Sequence, residues 1–307
     1  MDIPLYNRQT KTIEKEIIFE SWFMLAVYGN PFGVAVLAKL FKQAWFSRLY
    51  AVLQRRESTK PKILRMIRNN AINVDEFEQE VTSFSCFNDF FIRRLKPSAR
   101  PIDKRTNHLI SPADSRLLAF PILHEAVIPV KGKAFGLTRL LQDERLANQY
   151  LNGICLVFRL AVADYHRFCY IDNGRQSQIY PIKGCLHSVH AVVIRAGLSP
   201  FIENFREYCI LHTENFGEVI HIDVGGLIAG KINQHYRQAS LVEKGQEKGY
   251  FEFGGSTIIQ LFRPNTINMD NDILEYSAKG IEALVKYGEK IGCATGVGLK
   301  DAKNVES

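Results

Sequence analysis

The sequence predicts an α+β fold: apolar N-terminal helices, then an antiparallel, β-rich core, then a C-terminal helix. Three observations carry this. Residues 12–56 place apolar side chains at helical spacing, the chain from about residue 107 breaks into short apolar runs punctuated by glycines, and residues 271–290 return to a helical pattern. A length of 307 residues allows one large domain or two smaller ones. With 46% hydrophobic and 23% charged residues the composition is globular, without repeats or low-complexity tracts.

The first helical segment reads Trp22, Phe23, Met24, Leu25, Val27 and Tyr28, and Gly29-Asn30-Pro31 breaks it. A second reads Val34, Leu37, Leu40, Phe41, Ala44, Trp45, Leu49 and Val52, accompanied by Lys39, Lys42, Arg48, Arg55 and Arg56. The uncharged stretch Ser21 to Ala38 is close to the ~20 residues of a membrane span, but the break argues against one straight helix. The pattern fits helices lying in the plane of a membrane, and equally an ordinary core-facing pair. Arg55 to Lys62 is a polar linker, residues 63–80 read as short polar helices, and Ser85 to Leu95 reads as a compact helix with Phe87, Phe90, Phe91 and Leu95 on one face. Pro97 and Pro101 end it.

Strands are expected at 107–111, 115–122, 127–131, 154–161, 177–190, 206–213, 217–224, 226–236 and 257–263. Asn271 to Lys290 reads as the closing amphipathic helix, and the last fifteen residues as a polar, mobile tail. The chain divides into an apolar helical region (1–56), a helical connector (57–106) and a β-rich domain (107–307).

The net charge of +7, from 39 basic and 32 acidic residues, favours an anionic membrane or a nucleic acid as partner. The positive charge is spread out and no base-reading module occurs, so no nucleic acid is expected. Six cysteines stand singly at 86, 155, 169, 185, 209 and 293, with no metal-ligand spacing. This predicts a reduced, intracellular protein without a metal. The N-terminus lacks the basic-then-apolar layout of a signal peptide.

The stretch with most chemical promise is Gly249 to Ile259, where Gly254-Gly255 precede Ser256-Thr257 and apolar residues flank both sides. It reads as strand, tight bend, strand. Glycines can hold a strained bend, and a serine hydroxyl presented to the preceding carbonyl suits self-cleavage. Taken alone, such a bend is usually structural. Asp114, in the turn Ser111-Pro112-Ala113-Asp114, and His166, in Asp164-Tyr165-His166-Arg167, could complete a hydroxyl, base and carboxylate set. The bland readings are an aspartate bonding its own turn and a satisfied structural histidine.

Several collinear stretches turn this into a family resemblance. They are Phe90-Phe91-Ile92-Arg93-Arg94-Leu95-Lys96-Pro97 with Arg100-Pro101; Ser111-Pro112-Ala113-Asp114; Lys131-Gly132; Asp164-Tyr165-His166-Arg167; Ile182-Lys183-Gly184; Gly230-Lys231-Ile232; and Lys244 to Phe251 running into Gly254-Gly255-Ser256-Thr257. The chain resembles the phosphatidylserine decarboxylases, particularly the shorter bacterial type, over roughly residues 86–263.

The resemblance implies a proenzyme. Ser256 would attack the carbonyl of Gly255, cutting the chain into β and α parts, and would become a pyruvoyl group, the covalent cofactor. That group would form a Schiff base with phosphatidylserine and release CO2 to give phosphatidylethanolamine. Asp114 would act with a histidine to activate Ser256, and His166 would serve decarboxylation. The apolar helices would then be membrane-associated, placing a peripheral enzyme on the cytoplasmic face of the cell membrane, with a homodimer as one assembly open to it.

Three positions depart from the family pattern. Cys169 stands where a second histidine usually acts as the base for self-cleavage, Ser115 stands for a glycine, and His190 for an asparagine. Either His166 serves both steps, or His187 or His190 reaches the site, or cleavage fails. A non-catalytic lipid-binding relative is therefore the rival reading, and pyruvoyl chemistry on a soluble amino acid is a third.

Overall fold

The computed structural model describes residues 3–16, 55–123, 127–130, 133–184, 200–226, 231–253 and 256–296. The helices expected within 17–54, Lys131-Gly132, His187, His190, Gly254, Gly255 and residues 297–307 of the expected C-terminal tail lie outside these residues. Among the described residues no helix is long and apolar enough to cross a membrane.

The fold is α+β and mostly sheet. Its frame is an eleven-stranded sheet. Along the sheet the strands run Ser240–Val242, Gly174–Gln176, Arg206–Thr213, Gly217–Gly225, Ser256–Phe262, Ile154–Leu160, Ser115–Pro121, Glu282–Val285, Pro4–Asn7 and Thr12–Lys15, with Tyr180–Ile182 also paired to Arg206–Thr213. Pro4–Asn7 pairs parallel with Glu282–Val285, and every other pairing among the described residues is antiparallel.

Ser256–Phe262 sits in the middle of this sheet and is buried along its whole length. Alternation sends Ile258 and Phe262 into one core and Ile259 and Leu261 into the other. Burial on both faces explains why the segment reads as a continuous apolar run, and each such side chain contributes about 1.5–3 kcal/mol. The second core is capped by the short helices Leu137–Leu141 and Glu144–Asn148, through Leu137, Leu140, Leu141 and Ala147.

Against the first core lies a three-stranded sheet of Ile232–Gln234, Glu247–Phe251 and Arg167–Cys169. Gly249 permits its close spacing, since a Cβ there would lie 2.2 Å from the Asn233 carbonyl oxygen. A third cluster, built from Ile63, Met66, Phe77, Phe84, Phe87, Phe90 and Phe91, packs the segment before residue 100 onto Phe253.

Several expectations are corrected. The helix expected over 271–290 covers only Asn271–Ala278. Gly280, at φ +69°, turns the chain back, and Glu282–Val285 enters the large sheet instead. Ile281, Leu284 and Val285 fit helical spacing, but strand pairing overrides that periodicity. Residues 12–15, expected to open a helix, form an exposed strand beside Pro4–Asn7. The helix expected from Ser85 to Leu95 is confined to Phe87–Phe91. Short strands at 167–169, 174–176, 240–242, 267–269 and 290–294 were not expected.

Candidate active site

Ser256 opens the central strand, its backbone in register with Gly225 on one side and Leu160 on the other. The hydroxyl is fully buried with the rest of the residue. Upstream, Glu247–Phe251 pairs with Arg167–Cys169, and the Phe251 N–H donates to the His166 carbonyl at 3.0 Å. The strand leading to the glycine pair is thus tied to the strand that follows the histidine. The Glu252 carboxylate then meets Arg55, accepts from Asn233 Nδ2 at 3.2 Å and lies 3.5 Å from Lys231 Nζ. Both flanks of Gly254-Gly255 are anchored, although the expected cleavage partner Gly255 itself lies outside the described residues.

His166 Nδ1 lies 3.1 Å from Ser256 Oγ, and Nε2 lies 2.9 Å from the Ala161 carbonyl oxygen. A carbonyl only accepts, so Nε2 carries the ring proton and the Nδ1 lone pair faces the serine hydroxyl. The ring is fully buried and stacks on Phe91, with centroids 3.8 Å apart and an interplanar angle of 29°. Burial, reinforced by Arg93 and Arg116, pushes its pKa down to about 3, while the Ala161 carbonyl and Asp114 oppose this. The imidazole is therefore neutral at neutral pH, with the Nδ1 lone pair facing the serine hydroxyl.

Asp114 is not the group that orients this histidine, because both ring nitrogens are already engaged. Its carboxylate accepts from Arg100 Nε at 2.8 Å and Nη2 at 2.7 Å and from the Tyr287 N–H at 2.8 Å, with Lys286 Nζ 3.7 Å away. Burial alone would raise its pKa, but Arg100 and Lys286 hold it below the ordinary carboxylate range. The structure therefore brings Ser256 and His166 together and places Asp114 with Arg100, within electrostatic range of the ring but not bonded to it.

Cys169 falls on the Asp114 side. Its N–H donates to the Pro112 carbonyl at 2.9 Å, and its sulfur lies 4.0 Å from the Ser111 carbonyl oxygen. Burial pushes its thiol up to about 12, so it is protonated and no base. Beside this region lies a cavity of about 320 Å³ lined by Arg93, Arg100, Asp114, Arg116, Asp164 and Lys286 among others. Arg93 is buried against Phe77 and Phe90 and donates to the Ala163 and Asp164 carbonyls at 3.0 and 3.1 Å, bracing the turn that carries the Ala161 carbonyl.

On the same face as Ser256, two residues along, Asp223 stands opposite Ile258. It accepts from Lys248 Nζ at 2.9 Å and lies 3.0 Å from His221 Nε2, all three fully buried. Sequence reasoning did not find this network, nor Arg100, Tyr287, Asn88 or the Ala161 carbonyl. Arg100 lies inside a quoted motif, but nothing in the one-dimensional pattern says which carboxylate it meets.

Comparison with known proteins gives a consistent result. The family model described as phosphatidylserine decarboxylase matches residues 87–293. A phosphatidylserine decarboxylase proenzyme of Clostridium botulinum is 41% identical over 291 residues, covering 94% of this chain and 99% of that protein. Phosphatidylserine decarboxylase proenzyme 2 of Clostridium acetobutylicum is 40% identical over 292 residues, covering 95% and 99%. The proenzyme of Clostridium beijerinckii is 39% identical over 291 residues, covering 94% and 98%.

Proposed function

This chain belongs to the phosphatidylserine decarboxylase family, and on that premise we propose that it matures by cutting itself between Gly255 and Ser256 and decarboxylates phosphatidylserine at the group formed there. It is a phosphatidylserine decarboxylase proenzyme, a carboxy-lyase of phospholipid biosynthesis.

The observation that carries the maturation step is the 3.1 Å approach of His166 Nδ1 to Ser256 Oγ in a buried, single-tautomer arrangement. His166 takes the hydroxyl proton as the oxygen attacks the carbonyl carbon of residue 255. The C–N bond breaks, the amine of Ser256 takes a proton, and an ester joins the two parts. Loss of the Ser256 α-proton then expels the carboxylate of residue 255, and hydrolysis releases ammonia.

The residues fit a pyruvoyl group at position 256: Ser256 and His166 are fully buried, the imidazole is neutral and the preceding strand is anchored. Such a group supplies a carbonyl that captures the substrate amine and takes up the electron pair left by CO2. His166 Nδ1, already at hydrogen-bond distance from that position, is placed to take a proton from the substrate amine and, once it holds that proton, to return it to the substrate carbon. Asp114, neutralised by Arg100, fixes the turn beside this site and adds its field to the ring without touching it.

The apolar pattern with basic residues expected to be helical within 12–56 would seat the enzyme on the cytoplasmic face of the membrane where its substrate lies, as a peripheral protein able to form a homodimer. The division into 1–56, 57–106 and 107–307 stands as the proposed domain plan, with residues 4–15 joined to the catalytic sheet. The non-catalytic reading rested on Cys169, and nothing favours it beside relatives that are themselves proenzymes. Intact-mass analysis tests the reading. Two chains divided between 255 and 256, the shorter without a free N-terminal amine, are expected; a chain that stays whole on incubation with lipid would overturn it.

A further inference from the structure

The short helix Phe87–Phe91 touches both the chain that enters the Gly254-Gly255 bend, at Phe253, and the base His166. Sheet pairing of the upstream strand ends at Phe251, and the Glu252 N–H passes to the Lys231 carbonyl at 3.1 Å. The next donor, the Phe253 N–H, goes to Asn88 Oδ1 at 3.1 Å. This is a buried side-chain acceptor from a distant segment, spent on the amide two residues before the scissile carbonyl. Phe87 and Phe91 hold the Phe253 ring edge-on at 5.0 and 5.2 Å, and Phe91 also stacks on His166 at 3.8 Å. Just past the helix, Arg167 Nε returns to the Ile92 carbonyl at 3.0 Å, tying the residue next to the base to the same segment.

Resting on the proposed self-cleavage, we infer that Asn88 is a positioning residue for maturation: its side-chain oxygen sets the register of the chain entering the Gly254-Gly255 bend, so that the carbonyl of residue 255 meets Ser256 Oγ while Phe91 holds His166 against it. Downstream, Ser256 is locked by two sheet partners. Upstream, Asn88 supplies the last described backbone anchor before the glycine pair. Misplacing a reacting group by about 1 Å can cost on the order of 100-fold in rate, so an anchor at this point acts on the reaction as well as on the fold.

Two substitutions of similar size separate these roles. Asn88→Leu fills the same space among the phenylalanines but offers no acceptor, whereas Asn88→Asp keeps an oxygen on the same stem. Each 35.0 kDa precursor is made by pulse-labelled cell-free translation with phospholipid vesicles, and its conversion to two chains is timed alongside the wild type. Asn88→Leu is expected to mature at least tenfold more slowly, and Asn88→Asp within about threefold of wild type. A wild-type rate for Asn88→Leu, or an Asn88→Asp variant as slow as Asn88→Leu, overturns the inference. A wild-type chain that never divides refutes the self-cleavage reading instead.

Discussion

Lowering the pH from 8 to 5 is expected to leave the rate of self-cleavage within about twofold of its starting value. The argument runs through His166. An imidazole at the ordinary value of 6.5 would be only about 3% neutral at pH 5, and a reaction needing the neutral base would slow roughly thirtyfold. Burial, with Arg93 and Arg116 nearby, holds this ring at about 3, so about 99% of it stays neutral at pH 5. The assay follows freshly translated precursor into two chains across that range, with near-ultraviolet circular dichroism confirming that it stays folded. That control matters because the same shift acts on stability. The folded value lies below the unfolded one, so this group costs nothing above about pH 6.5. It withdraws roughly 1.4 kcal/mol for each pH unit between 6.5 and 3, as the unfolded chain takes up the proton the folded chain refuses. A thirtyfold loss with its midpoint near 6.5 would refute the buried-base argument. A rate that climbs through pH 8 to 9 would point to a thiolate, and so to Cys169 acting after all.

Other outcomes follow from the same geometry. His166→Ala should slow chain division by about 100- to 10,000-fold in the translation assay, and wild-type processing would remove the histidine from the mechanism. Cys169→Ala should divide within about twofold of the wild-type rate while losing about 1 kcal/mol in urea unfolding, because the thiol packs beside the Asp114 turn and does not reach Ser256. Lys248→Met should lower stability by about 3–5 kcal/mol, read from the urea midpoint, since it leaves Asp223 buried beside His221 without its cation. Phenylhydrazine should condense with the shorter chain, adding its mass less one water, and abolish turnover, and the Ser256→Ala variant should take up no label.

Much of the site was legible in the sequence because its chemistry is local in the chain. Gly-Gly-Ser-Thr after an alternating run announces a strand that bends and resumes, and Ser256 does open the central strand. His166 could be proposed from its stretch, but its partner could not. The orienting acceptor is the Ala161 carbonyl, and a backbone oxygen leaves no mark in a sequence. Asp114 reads as a partner for a histidine, and the three donors that bond it, from Arg100 and Tyr287, lie 14 and 173 residues away where the sequence gives no sign of them. Cys169 looked like a lesion because it stands where the family pattern has a histidine. Residues 167–169 point along a strand that carries Cys169 away from Ser256 and towards Ser111 and Pro112. The C-terminal strands were hidden for another reason: Ile281, Leu284 and Val285 suit either period, and only the gap beside Ser115–Pro121 decides between them.

The central place of Ser256–Phe262 gives maturation a direction. Both sheet neighbours of that strand precede the cut, and so do both partners of Glu282–Val285 and one of the two partners of Lys290–Ala294, the strand His108–Ile110. A precursor finds these pairings as a single molecule, with every strand tethered to the rest. After division the fragments stay interlaced, but the tether is gone. Should the mature enzyme unfold, reassembly would become an encounter between two separate chains, slowed by dilution and exposed to aggregation. Each molecule therefore has one favourable occasion to fold, before it becomes active, and a cell that loses mature enzyme to heat must replace it by new synthesis.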